Sequence, residues 1–328
     1  MVTLAGANPA SIRAAAALLA QGGLVAFPTE TVYGLGARAD DDAAVARIFA
    51  AKGRPAEHPL IVHVADVAAA REFAADLGGG AERLMAAFWP GPLTVIVPRR
   101  AGRGRAAAGG QSSIGLRMPA HPVALALLRE AARLGVAGVA APSANRFGRV
   151  SPTTAAHVSA EFGAQLMVLD GGACTVGIES AIVDCTRAQP ALLRPGQLSQ
   201  AQIEAVLGGP LVAPDGASPR ASGTLASHYA PAAPVRLLAA AALQACCREA
   251  GPAGGAGTVV GVYSRLAPEA GPGWLHKAMP ADAAGVAREL FAVLREFDAA
   301  GVSAIWVERP PPGLEWDGVR DRLQRAAV

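Results

Sequence analysis

Apolar and polar residues alternate along the first 200 positions in two rhythms. Short apolar runs bounded by Gly, Pro or polar clusters read as buried strands: Gly23–Phe27, Leu60–Val64, Leu93–Val97, Ile114–Arg117, Gly138–Ala141, Leu166–Leu169 and Ala181–Asp184. Between them lie stretches with a helical period. Asp40–Ala51 puts Val45, Ile48 and Phe49 on one face behind acidic capping residues, and Val67–Asp76, Ala81–Phe88, Pro122–Leu134 and Thr153–Phe162 read the same way. The apolar run after Arg13 follows Asn8-Pro9 and stops at Gly22-Gly23, which marks a first helix rather than a signal peptide. The alternation specifies the α/β class. Some connections are too short for helical crossovers, so the sheet is expected to be mixed.

The pattern fails at Gly208–Ser227, where Gly, Pro, Ala and Ser dominate and no period survives, as in a linker. Beyond it, Val235–Leu238, Thr258–Tyr263 and Ala304–Val307 read as strands, and Ala283–Ala300 and Trp316–Ala326 as helices. The organisation expected is a catalytic domain over residues 8–207, a linker or lid over 208–232, and a smaller α/β domain over 233–328.

Composition narrows the class. A chain of 328 residues with 52% hydrophobic and 17% charged residues is globular, and its length suits two domains. A net charge of +3 is too mild to predict nucleic-acid binding. Lys52 and Lys277 are the only lysines, so arginine is the default cation and the lysine at 52 stands out. Cys174, Cys185, Cys246 and Cys247 form no C-x-x-C pair, which reads as free thiols in a reducing cytosol and hence a cytoplasmic protein. No stretch approaches the ~18–20 apolar residues of a membrane helix.

Three motifs mislead. Gly34–Ala39, GLGARA, matches a dinucleotide-binding spacing, but the residues before it are too polar for the buried strand that motif requires. His58 and His63 are five apart, which sends side chains to opposite faces of a strand, and no Cys/His group has zinc spacing. A G-x-S-x-G nucleophile elbow is absent.

Four segments put polar groups where a plain core would not. In Phe27–Ala37, Thr29, Glu30 and Thr31 sit among apolar residues, and Gly34 and Gly36 admit close backbone approach. In Ala51–Ala65, Lys52 and Arg54 flank the helix stop Gly53; an anion would relieve their repulsion, with Arg binding phosphate bidentately. Both residues also suit a helix C-terminus as plain solvated cations. Arg117 closes the strand in Ser112–Ala120. Ser143, Asn145, Ser151 and Thr153 fall in a strand-to-helix connection of the kind that binds phosphate or ribose, or that merely caps helices. The Gly- and Arg-rich loop Pro98–Ser113 reads as solvated surface.

In order, PTETVYGLG, KGRP with PLIVHV, FWPGPLT, the Arg-x-Pro strand end, APSAN with SPT, and GIES-x-IVD resemble the threonylcarbamoyl-AMP synthases, proteins with a YrdC-like domain. The linker ending in SHYAP, Ser227–Pro231, is similar to that of their longer two-domain subfamily. The resemblance implies a YrdC-like twisted mixed sheet with a large concave site, plus a smaller C-terminal Rossmann-like α/β domain. It also implies L-threonine held by Thr31, His63, Arg117, Ala141 and Ser180. ATP would lie against Arg54, His58, Ser113, Ser143, Asn145, Ser151, Arg194 and Tyr229, with Lys52 and Arg54 as the catalytic cations. Mg²⁺ would arrive with ATP rather than in a protein-ligated site. Three residues depart from the family pattern: His58 replaces the usual Asn, Phe147 a small polar residue, and Ala181 the usual Thr.

The implied activity joins L-threonine, bicarbonate and ATP into threonylcarbamoyl-AMP and pyrophosphate, the first step of threonylcarbamoyladenosine formation in tRNA. The product passes to a tRNA threonylcarbamoyl-transfer complex, tRNA contact is at most secondary, and no membrane is involved. Alternatives are an RNA-binding maturation factor without ATP turnover and a carbamoyltransferase-type maturation enzyme; the cysteine pairs of the latter are absent. The linker is expected to fold over the ATP site as a lid, with Tyr229 touching the nucleotide.

Overall fold

The computed structural model describes residues 2–163, 166–250, 259–267 and 273–327, so Thr258, the first residue of one strand read from the sequence, lies outside them. Two compact units emerge, the first formed by Met1–Phe147 and Ser151–Thr224, the second by Gly148–Val150 and Leu225–Val328. The linker segment up to Thr224 therefore packs with the first unit.

The first unit begins with β1 (Val2–Ala5), α1 (Pro9–Ala20), β2 (Val25–Phe27), β3 (Gly34–Arg38), α2 (Asp42–Lys52), β4 (Ile61–His63), α3 (Val67–Phe73), α4 (Gly78–Phe88) and β5 (Leu93–Pro98). It continues with β6 (Ser113–Arg117), α5 (Pro122–Arg133), β7 (Val139–Ala140), α6 (Ala155–Phe162), β8 (Met167–Asp170), β9 (Ala181–Asp184), β10 (Ala191–Arg194) and α7 (Gln200–Leu207). Its ten strands form one sheet in the order β1-β8-β2-β3-β7-β4-β6-β5-β9-β10. The sheet is mixed as the short connections predict: β4 and β6 run parallel, while β2–β3, β4–β7 and β5–β6 are antiparallel.

Period-two alternation sorts the sheet's side chains into two cores. Val25, Phe27 and Val139 pack with α1 and α5, whereas Ala26 and Ala140 pack with α2, α4 and α6. Local signals fix the helix ends. Asp41 accepts from the amides of Ala43 and Ala44 to start α2, and Gly53, at φ 63°, ends it in the left-handed conformation. Ser199 and Gln202 close a capping box on α7.

The GLGARA segment supplies β3, which lies between β2 and β7 in the sheet. Gly36 explains why glycine occupies it: a Cβ there would lie 2.7 Å from a Phe27 ring carbon and 2.8 Å from a Val139 methyl. Gly36→Ala is accordingly expected to cost about 1–3 kcal/mol by overpacking. At about 2–4 °C per kcal/mol, the melting temperature should fall by several degrees, measurable by circular dichroism.

The second unit holds β11 (Val235–Leu238), α8 (Ala240–Ala250), β12 (Val260–Ser264), β13 (Trp274–Ala278), α9 (Ala283–Ala299), β14 (Ala304–Glu308) and α10 (Asp317–Ala326). Its sheet is entirely parallel, in the order β11-β14-β12-β13. Among the described residues no helix is long and apolar enough to cross a membrane.

Candidate active site

The site grows from the turn between β2 and β3. Thr29 Oγ1 donates to Val32 O at 2.7 Å and accepts from the amides of Thr31 and Val32, each at 3.2 Å. This hydroxyl-closed turn fixes Thr31 and turns Glu30 into the protein. Glu30 Oε1 accepts from Arg117 Nη2 at 2.6 Å, with both side chains under a tenth exposed. Glu30 Oε2 accepts from the amide of Ala120 at 3.0 Å. The amides of Val176 and Gly177 bond the carbonyls of Glu30 and Thr31, which brings the segment leading to Ser180 alongside.

His63 and Arg117 end the parallel strands β4 and β6 in the same register. Burial, and then the neighbouring Arg117 charge, push the His63 imidazole down to about 3, so it is neutral at ordinary pH. Its Nδ1 is buried without a hydrogen-bond partner among the described residues. The Ala141 amide bonds Ile61 O at 2.9 Å, locking the start of the APSAN loop onto β4.

The second cluster forms where α2 ends. Lys52 is buried, and its Nζ donates to Ser143 O at 2.6 Å and to Asn145 O. The Phe147 amide returns a bond to Lys52 O. Burial, and then the Arg54 charge, hold the Lys52 ammonium well below its usual 10.5. The sequence suggests an anion to separate two neighbouring cations. The structure meets their repulsion with protein oxygens, sending Lys52 to the Ser143 and Asn145 carbonyls and Arg54 to that of Pro59. Arg54 lies over the Phe147 ring at 5.7 Å and donates to Pro59 O at 3.0 Å. His58 meets the same ring edge-on at 5.4 Å. Two of the three departures from the family pattern, His58 and Phe147, are thus in contact with each other.

Arg194 joins the two clusters. Its Nε and Nη2 donate to Ser180 O at 3.1 and 2.9 Å, and Ser180 Oγ bonds Thr94 Oγ1 at 2.8 Å. Arg194 Nη1 donates to Ser222 O at 2.8 Å, while Arg54 Nη2 reaches Ser222 Oγ at 3.4 Å. Ser222 Oγ in turn donates to Pro59 O at 2.6 Å. Ser222 belongs to the Gly/Pro/Ser-rich segment, which lies across a groove lined by Ile61, Thr94, Ser113 and Ile182 and leaves a cavity of only about 10 Å³. A side-chain clip holds it there: the Arg220 amide donates to Gln111 Oε1 at 2.9 Å, and Gln111 Nε2 to Arg220 O at 3.2 Å. Ser151 Oγ donates to buried Glu179 at 2.5 Å.

Tyr229, expected from the sequence at the nucleotide, lies in the second unit. It is buried there at φ 62°, its ring 5.4 Å from Phe291 and under the Arg322 guanidinium at 5.4 Å. That backbone conformation is strained for a non-glycine residue and persists because the packing fixes it. Glu30, Thr94, Glu179 and Ser222 have no role in the motif reading. A carboxylate inside an apolar run should have prompted a search for its cation, but spacing alone could not name a partner 87 positions away. Among the described residues no group of three or more His, Cys, Asp or Glu could hold a metal ion.

A family model covering Sua5, YciO and YrdC, described as telomere recombination, matches residues 17–196. A second, described as threonylcarbamoyl-AMP synthase, C-terminal domain, matches residues 198–328. The threonylcarbamoyl-AMP synthase of Pyrococcus abyssi is 40% identical over 335 residues, spanning 96% of this chain and 94% of its own. That of Bacillus subtilis is 44% identical over 238 residues, spanning 70% of this chain and 67% of its own. The solved structure of P. abyssi Sua5 complexed with L-threonine superposes with a TM-score of 0.87 at 37% identity, over 98% of this chain and 95% of that one.

Proposed function

The chain belongs to the Sua5, YciO and YrdC family and carries the C-terminal domain of the threonylcarbamoyl-AMP synthases, and from that premise we propose that it makes threonylcarbamoyl-AMP from L-threonine, bicarbonate and ATP. As a nucleotidyltransferase it supplies the activated intermediate that a tRNA threonylcarbamoyl-transfer complex consumes. The observation that carries the reading is the convergence of two buried arginines, Arg54 and Arg194, on the single residue Ser222 beside the Lys52 cluster. Fixed guanidinium groups aimed at one point suit the phosphate oxygens on which charge develops.

The chemistry asks for positioning more than for a nucleophile. Bicarbonate supplies CO₂ by losing one C–O bond, and its oxygen leaves as water with the proton released when the threonine amine adds to that CO₂ to form a carbamate. A carbamate oxygen attacks the α-phosphorus, the bond to the bridging oxygen breaks, and pyrophosphate leaves. Thr31, His63, Arg117, Ala141 and Ser180 hold the threonine. The neutral His63 ring, with its unbonded Nδ1, offers a polar partner for the threonine hydroxyl, and discrimination against valine requires one. Arg54, His58, Ser113, Ser143, Asn145, Ser151, Arg194 and Tyr229 take the nucleotide, and the segment bearing Ser222 yields or shifts to admit it. Mg²⁺ enters as part of the nucleotide substrate, whose phosphates and waters supply most of its ligands. The protein works in the cytoplasm, where these substrates are.

The test is release of pyrophosphate from ATP. It should require both L-threonine and bicarbonate, and fall by about ten- to a hundredfold or more when L-valine replaces L-threonine. Equal turnover with the two amino acids would overturn the substrate assignment. No turnover, with salt-sensitive RNA binding instead, would turn the reading to an RNA-binding factor.

A further inference from the structure

The Glu30–Arg117 pair bears on which molecules the amino-acid pocket admits. Glu30 is held from two sides, by Arg117 Nη2 at 2.6 Å and by the Ala120 amide at 3.0 Å, and each carboxylate oxygen keeps a further lone pair. Arg117 Nε donates to Gly91 O at 3.4 Å, and Nη1 makes no hydrogen bond to a described residue. Beside Thr31, then, stand one fixed positive and one fixed negative group, both under a tenth exposed. His63 adds no charge, since its imidazole is neutral. The other buried carboxylates of this unit are engaged elsewhere: Glu179 accepts from Ser151, and Asp184 accepts from Thr186.

A pocket with Arg117 alone would attract any carboxylate and repel an ammonium. The buried pair is charge-matched to a molecule that carries both, at short separation, as an α-amino acid does. We propose that Glu30 reads the ammonium group of the amino-acid substrate while Arg117 Nη1 reads its carboxylate, so that the pair selects a zwitterion over a plain carboxylic acid. The inference rests on the threonine reading above. Glu30 acts here as a specificity residue, and it also anchors the Arg117 guanidinium through Nη2.

Calorimetry on the full chain without ATP tests this with two ligands. One is L-threonine. The other is 3-hydroxybutanoate of matching configuration at the hydroxyl carbon, which lacks only the ammonium group. The wild-type chain should prefer L-threonine, and Glu30→Gln should shrink that preference by about tenfold or more, as expected for loss of a charge-assisted contact. If both ligands weaken by the same factor, or neither does, Glu30 does not read the ammonium and the inference is overturned. A thermal melt reports whether Glu30→Gln folds. If it does not, Glu30→Asp keeps the charge beside Arg117 but draws the carboxylate back by one methylene, and the same ratio, expected to shrink, is read from it. A wild-type chain that fails to bind L-threonine overturns the substrate reading itself, an outcome distinct from an unchanged ratio.

Discussion

Lys52→Met is expected to lower kcat by about 10²–10³-fold, the usual loss when one fixed electrostatic donor is removed from a transition state. Methionine keeps an unbranched apolar stem but leaves the Ser143 and Asn145 carbonyls without their donor. Those carbonyls belong to the loop whose amides and hydroxyls face the nucleotide in the proposed mechanism, so the loop and the charge are lost together. The pH dependence gives an independent check. Burial first, and Arg54 second, lower the Lys52 ammonium below its usual 10.5. The unfolded chain therefore holds this proton to higher pH than the folded chain does, and the Lys52 contribution to stability rises with pH across that interval. Activity runs the other way, because the charge is lost as pH rises through the lowered value. The wild-type profile should fall on its alkaline side below 10.5 while the melting temperature does not fall with it, and Lys52→Met should lack that limb. A methionine variant with near-normal kcat would reduce Lys52 to a structural clasp on the loop.

The parts of this arrangement differ in how far the sequence reveals them. Residues adjacent in the chain were legible. The helix ending at Lys52-Gly53 was read from its capping signals, and the structure ends α2 at that point. The strands carrying His63 and Arg117 were read from apolar runs, and both exist. What failed was structure whose cause lies elsewhere in the chain. β3 contains two glycines, which weakens any strand signal, yet one of them is required by Phe27 and Val139 on its neighbours. The helix α4 opens on three glycines against its propensity, so the apolar pattern marks it only from Ala81, while tertiary packing of Ala81, Leu84 and Met85 sustains it. The strands β1, β10 and β13 and the helices α7 and α8 leave no pattern of this kind; α7 carries a single buried residue, Ile203, too little to set a period.

The site divides in the same way. The motif residues announce themselves as polar groups in apolar surroundings, but their partners do not. Ser222 sits in a stretch that reads as spacer, yet it draws two arginines 168 and 28 residues away. His58 and Phe147 look like independent departures from a family pattern, and only the fold shows them sharing a contact with Arg54 above the ring. Burial identifies a residue that needs a partner; topology decides which residue that partner is.

Arg117 shows how the structure alters an expectation drawn from a motif. From the motif, Arg117→Met would simply lose the carboxylate of threonine. The structure adds a second cost, because Glu30 would remain buried without its cation. Breaking a buried ion pair from one side costs about 3–5 kcal/mol, whereas replacing both partners by neutral groups of similar size is often close to neutral. Arg117→Met should therefore lower the melting temperature by roughly 6–20 °C, at about 2–4 °C per kcal/mol for a unit of this size. Adding Glu30→Gln to the same chain should restore most of that stability. Threonine binding should follow a different course. It should be lost in Arg117→Met and stay lost in the stable double variant, since no cation remains for the carboxylate. A cycle over the wild type, the two single variants and the double variant measures both quantities, by thermal melts and by calorimetry. If the two substitutions destabilise additively, the pair is not energetically coupled. If the double variant regains threonine affinity along with stability, Arg117 supports the fold and does not bind the substrate.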